Sequence, residues 1–139
     1  MSFTFKILSG SDISDPTDYC CICRGLEQDF EYFQLAGVSE KDTFLVLIYK
    51  QKELVGNLIF RIIPKQKVIQ ILLLCSKTEK SGAGSFAVEV LLKNIPPGIE
   101  KIILYPETSA IPFYERFGFK LFIDEPIIGT FMLKELLGK

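Results

Sequence analysis

Two groups of residues in this chain have the types and spacing for chemistry. The first is Gly82-Ala83-Gly84, set between an apolar run from Ile69 to Leu74, broken only by Gln70, and a pattern with Ala87, Val90 and Leu91 at helical spacing. The run reads as a strand buried on both faces, so the order is strand, glycine turn, helix. Such a turn leaves backbone N–H groups unpaired at a helix N-terminus, where the macrodipole adds roughly half a positive charge. That suits an anion, and phosphate is the usual occupant. Ser81 to Ser85 could all aim amides at one pyrophosphate, and Lys80 adds charge beside them. Glycine pairs alone are common in loops, and it is the placement of this pair that singles it out. The second group is Ala110 to Phe119, which holds Tyr114 ahead of Gly118-Phe119. A lone Tyr is ordinarily a core aromatic, but this one sits on a short helix directly after a second buried strand.

The elements that must position these groups can be read from periodicity. Phe3, Phe5 and Ile7 alternate with polar neighbours and predict a first strand, ended by Ser9-Gly10-Ser11-Asp12. Asp15-Pro16 starts a helix that runs to Arg24, and a second helical piece spans Leu26 to Leu35. Thr43 to Tyr49 and Glu53 to Ile63 predict an antiparallel hairpin across Lys50-Gln51-Lys52. Gly56, inside the second of these strands, marks a bulge or a close backbone approach. Pro64 to Lys67 makes the next turn. The helix after the glycine turn runs to Asn94, and Ile95-Pro96-Pro97-Gly98 breaks it. Lys101 to Tyr105 is a strand reached by a helical crossover, hence parallel to Ile69–Leu74. A helix over Thr108 to Phe117 with Pro112 in its first turn, then strands at Phe119 to Ile123 and Thr130 to Leu133, complete an α/β (α+β) domain.

Composition narrows the function classes. At 139 residues one domain with one core, spanning residues 1–139, is expected. A net charge of -1 argues against a nucleic-acid partner. No apolar run approaches the ~18 residues that cross a bilayer, and Met1 to Gly10 lacks the layout of a secretory signal, so no membrane partner and a cytoplasmic location are expected. The absence of His, with Cys20, Cys21 and Cys23 crowded together and Cys75 alone, points to reduced structural cysteines and no metal.

Together the two groups resemble the GNAT superfamily of acyl-CoA-dependent N-acyltransferases. Its Q/R-x-x-G-x-G/A turn corresponds to Glu79-Lys80-Ser81-Gly82-Ala83-Gly84, with Glu79 departing from the usual Gln or Arg. Its N-x-x-A-x-x-F/L-Y-x-x-x-G-F pattern is matched at Ala110, Phe113, Tyr114, Gly118 and Phe119, with Glu107 where Asn is common. The ending Phe131 to Leu136 is also similar. The resemblance implies a mixed central sheet of six to seven strands with helices on both faces, whose fourth and fifth strands form a parallel pair that splays at a bulge. It implies acetyl-CoA or another acyl-CoA as co-substrate, contacted by the backbone of Leu72, Leu73 and Leu74, by the turn Glu79 to Ser85, and by Phe113. It makes Tyr114 the general acid for the departing CoA thiolate, with a hydrogen bond to the thiolate contributing as much as full proton transfer. Glu107 is the first candidate for general base, ahead of Asp124 and Glu125, with a helix-start cap or a water relay equally compatible. The amine acceptor would meet the helical piece holding Glu27, Phe30 and Glu31, an acidic and aromatic wall suited to a cation or simply a solvated helix face. A catalytically silent acyl-CoA-binding or protein-interaction module on the same fold is the alternative. Dimers are frequent in the family, which leaves a homodimer open.

Overall fold

Thr43–Lys50 (TFLVLIYK) is built from β-branched, aliphatic and aromatic residues, and Leu45, Val46, Leu47 and Ile48 are all fully buried. Successive side chains of a strand point to opposite faces, so a buried run of this kind belongs to a strand covered on both sides. A computed structural model describes residues 2–12, 42–77, 81–124 and 129–136 of the chain. Its strands are β1 (Thr4–Ser9), β2 (Thr43–Lys50), β3 (Glu53–Ile63), β4 (Val68–Ser76), β5 (Lys101–Leu104), β6 (Lys120–Asp124) and β7 (Gly129–Glu135). The described helices are α1 (Ala83–Lys93) and α2 (Ile111–Glu115). The strands form one mixed sheet of seven in the order β1-β2-β3-β4-β5-β7-β6, with β4 and β5 parallel. The helices expected over 15–24 and 26–35, and with them Cys20, Cys21 and Cys23, lie outside the described residues. Among the described residues no helix is long and apolar enough to cross a membrane.

The chain forms two compact units, Met1–Arg61 with Leu72–Ile95, and Ile62–Ile71 with Pro96–Lys139. In the first, Leu45, Leu47, Ile59 and Leu73 make a buried cluster edged by Leu8, Tyr49, Leu54 and Leu72. Each of the four buried side chains of the cluster contributes roughly 1.5–3 kcal/mol on burial. Helix α1 buries Ala83, Ala87, Val88, Val90 and Leu91, a stripe at helical spacing, and leaves Glu89 exposed. It ends at Asn94, whose side-chain amide donates to the Val90 carbonyl at 2.7 Å. In the second unit, Ile102 and Leu104 of β5 and Met132 of β7 are buried, with Leu104 opposite Met132.

The hairpin between β2 and β3 is tighter than the sequence predicts. Lys50 pairs with Glu53, so the loop is Gln51-Lys52 alone, with φ of 53° and 68°. Two residues with positive φ form a primed turn, which matches the twist of the flanking strands but costs about 1 kcal/mol or more per residue bearing a Cβ. Lys52→Gly is therefore expected to stabilise the chain by about 1 kcal/mol, read as a higher urea midpoint at unchanged m value.

The helix expected over Thr108–Phe117 is divided into a 3-10 turn, Thr108–Ala110, and α2. Pro112 explains this division. An α-helix would need the residue-112 N–H on the Thr108 carbonyl, and proline has none. The Ile111 N–H takes that carbonyl instead, closing the shorter 3-10 ring.

Candidate active site

The phosphate-binding half of the predicted site lies in the first unit. Parallel pairing of β4 with β5 ends at Ile71 opposite Leu104, while β4 itself continues to Ser76. Leu72, Leu73 and Leu74 therefore lie past the last paired residue, Leu73 buried in the core cluster and its two neighbours half-buried. Backbone groups on a strand past its last partner are available to a ligand that pairs as a strand would. Helix α1 then opens at Gly82, which has φ +92°. That left-handed conformation is costly for a residue with a Cβ, so glycine suits the corner. The Phe86 N–H is bonded to the Gly82 carbonyl at 3.0 Å, so the amides of Ala83, Gly84 and Ser85 precede the helical ladder. The Ala83 N–H meets the Ser81 hydroxyl at 3.3 Å. Glu79 and Lys80 lie outside the described residues.

Three residues that sequence reasoning missed surround this corner. A Cβ at Gly82 would stand 3.5 Å from the Phe3 ring. Phe3 packs on Phe86 at 5.4 Å between centroids, and the Lys50 ammonium lies 5.8 Å from the Phe3 centroid. The pair is a cation–π contact, and it sets the Lys50 charge on the ring that packs beside the glycine turn. The alternation of Phe3 and Phe5 gave the strand, but nothing local to it signals a packing partner so distant in the chain.

The second unit holds Tyr114, Phe113 and Glu107. Tyr114 is buried, with Phe113 edge-on at 5.0 Å and Phe119 at 5.7 Å. The chain leaves α2 through Gly118, at φ +89°, and the Phe119 N–H returns to the Tyr114 carbonyl at 3.3 Å. Burial pushes the phenol up to about 12 from an ordinary 10.0, because the ring environment disfavours the phenolate. Phe113 is held by its own neighbours, with Phe117 at 5.3 Å and the Arg116 guanidinium 5.3 Å from its centroid. Glu107 occupies the cap position of the Thr108–Ala110 turn, yet its side chain makes no cap bond; its carbonyl accepts the Ala110 N–H at 2.9 Å. The carboxylate is exposed. An open depression of about 450 Å³ in this unit is lined by Lys120, Phe122, Leu133, Lys134 and Glu135 beside Gly118, and takes in neither Tyr114 nor Glu107. Glu27, Phe30 and Glu31, the expected acceptor contacts, and Glu125 lie outside the described residues.

The phenol also gives a pH dependence. In the folded chain it stays protonated up to about 12, whereas in the unfolded chain it ionises near 10. Between these values the unfolded state binds fewer protons, so stability is full below pH 10 and falls as pH rises. The loss should reach about 2.7 kcal/mol by pH 12. Urea titrations at pH 9 and pH 11 should show part of this loss in the wild type, and Tyr114→Phe should lose correspondingly less over the same interval.

The element order, the parallel β4–β5 pair among the described strands and the glycine corner after β4 define the class: the chain has the fold of the GNAT N-acyltransferases. No family model matches the sequence, and no curated protein does. Solved structures do. The chain is similar to Tetrahymena GCN5, with a TM-score of 0.71 at 19% identity over 98% of each chain. It is similar to the PaiA N-acetyltransferase of Thermoplasma acidophilum in complex with coenzyme A, with a TM-score of 0.66 at 18% identity over 98% of this chain and 100% of that one. A GNAT family acetyltransferase from Elizabethkingia anophelis with acetyl-CoA bound gives 0.65 at 15% identity, over 96% and 98%.

Proposed function

We propose that this chain, acting as one domain, is an acyl-CoA-dependent N-acyltransferase that moves an acetyl or other short acyl group to a primary amine by direct attack in a ternary complex. The observation that carries the reading is the run from the part of β4 that continues past its pairing with β5 into a left-handed glycine and the first-turn amides of α1, which precede the helical ladder. A strand end that can pair with an amide-bearing arm, followed by a helix start that takes an anion, matches the two chemical parts of coenzyme A. The complexes of similar fold that hold coenzyme A and acetyl-CoA support it.

In this reading the Leu72 to Leu74 backbone and Ser81 to Ser85 hold the acyl donor, aided by Phe113 and Lys80, while Glu79 in the same turn sets a like charge against the pyrophosphate. The ammonium must lose a proton, to Glu107 or to water, before its nitrogen attacks the thioester carbon. The carbon–sulfur bond then breaks, the second proton that the nitrogen sheds as the amide forms passes to solvent, and the sulfur leaves as the thiolate, which takes up a proton from water. The role assigned to Tyr114 is at the departing sulfur. A phenol at about 12 would protonate a thiolate of ordinary pKa, roughly 8.5, only at a cost of about 5 kcal/mol. That upward direction favours Tyr114 as a hydrogen-bond donor to the thiolate over Tyr114 as a general acid that gives its proton up. Glu27, Phe30 and Glu31 form the acceptor wall, and a cytosolic location goes with the reading. Glu79 in the turn favours a second reading, a module that binds acyl-CoA without turnover.

Incubation with acetyl-CoA and a panel of primary amines, following free thiol, tests both. Amine-dependent thiol release is expected. Coenzyme A binding with no turnover on any amine would leave the silent module as the better reading.

A further inference from the structure

Gly56 lies on β3 beside a bulge: Ile48 pairs with Gly56 and Tyr49 with Leu54, which leaves Val55 over. A side-chain carbon at Gly56 would stand 3.3 Å from the Ala83 Cβ, 3.4 Å from the Cys75 carbonyl oxygen and 3.5 Å from the Ile48 Cβ. Ala83 opens α1, and Cys75 is near the end of β4. One point on β3 therefore touches both ends of the segment that makes the glycine corner. Two further contacts fix the same place. The Val55 carbonyl accepts the Lys77 N–H at 2.8 Å, and the Lys77 ammonium pairs with the Glu53 carboxylate. Glu53 to Gly56 thus forms a seat for the end of β4 and the start of α1, and at Gly56 the seat has no room for a methyl group without movement of a neighbour.

We propose that the absent side chain at Gly56 positions the acyl-CoA corner, by letting Ala83 and the Cys75 backbone close on β3 and so setting the aim of the Gly84 and Ser85 amides. This rests on the acyl-CoA reading above. Gly56 touches no ligand in it and acts through Ala83 and Cys75. Glycine in a strand interior weakens the strand, so propensity alone would favour alanine there. A close-packed interior passes a shift of a few tenths of an ångström on to its neighbours, and misplacement on that scale weakens binding groups that must converge.

The test is calorimetric titration of coenzyme A into wild type, Gly56→Ala, Ala83→Gly and the double variant. The double variant moves the methyl group from one side of the contact to the other, and Ala83→Gly alone carries whatever the change at residue 83 does to binding by itself. Gly56→Ala should keep a cooperative melt and bind about tenfold more weakly than wild type, whereas the double variant should bind within about twofold of Ala83→Gly. Wild-type affinity in Gly56→Ala, or a double variant about tenfold weaker than Ala83→Gly, overturns the inference. If Gly56→Ala does not fold, the comparison of the double variant with Ala83→Gly decides: equal affinity supports the inference and a tenfold loss overturns it. A wild-type chain that binds no coenzyme A overturns the acyl-CoA reading itself.

Discussion

Replacing Tyr114 with Phe is expected to lower kcat about 10²-fold while coenzyme A affinity stays within about twofold. The size follows from the role. A hydrogen bond to a developing thiolate is charge-assisted and worth roughly 1.5–3 kcal/mol, and 10²-fold in rate is about 2.7 kcal/mol. Full proton transfer would make a different pH profile. With the phenol pushed up to about 12, a hydrogen-bond donor keeps its proton across the working range, so kcat/KM should rise as the amine deprotonates and show no alkaline limb from Tyr114 below pH 11. A donor of ordinary acidity would give a fall through pH 10. Steady-state kinetics of both proteins from pH 7 to 11 read the two quantities together. An unchanged kcat in Tyr114→Phe would remove the phenol from the reaction, leaving its ring as packing between Phe113 and Phe119.

The parts of the fold that the sequence made legible are those whose cause is local. Apolar runs and alternation placed the seven strands to within a few residues, since a strand's burial is written in its own period. Gly82 and Gly118 were legible because a left-handed corner between a strand and a helix, or after one, leaves few other choices. Gly56 was legible as either a bulge or a close approach, and it is both. What the close approach serves was hidden, because Ala83 and Cys75 reach it only through sheet register. The Phe3 ring beside Gly82 and the Lys134 ammonium, 2.7 Å from where a Gly118 Cβ would stand, were hidden for the same reason. Glu107 shows the limit for a charged residue. Its type suited both a base and a cap, and the folded chain uses its carbonyl for the cap while the carboxylate stays in solvent.

Gly84→Asp should abolish measurable coenzyme A binding without loss of fold, and the separation of the two effects is what makes it informative. Gly84 is half-buried in the first turn of α1, where no side-chain cap is in place. A carboxylate in a first turn is favourable for the helix, by roughly 0.3–1 kcal/mol, because it answers the positive end of the dipole. Asp is also a better helix former than Gly. The variant should therefore melt at the wild-type temperature or above it. The same carboxylate would occupy the space and cancel the field on which a pyrophosphate depends. Two like charges about 4 Å apart at a protein surface repel by roughly 4 kcal/mol, on the order of 10²–10³-fold in affinity. Gly84→Ala adds bulk without charge and should lose much less, so comparing the two divides the steric part from the electrostatic part. Calorimetric titration of both variants beside a thermal melt measures all of this, and wild-type affinity in Gly84→Asp would remove the α1 amides from the acyl-CoA site.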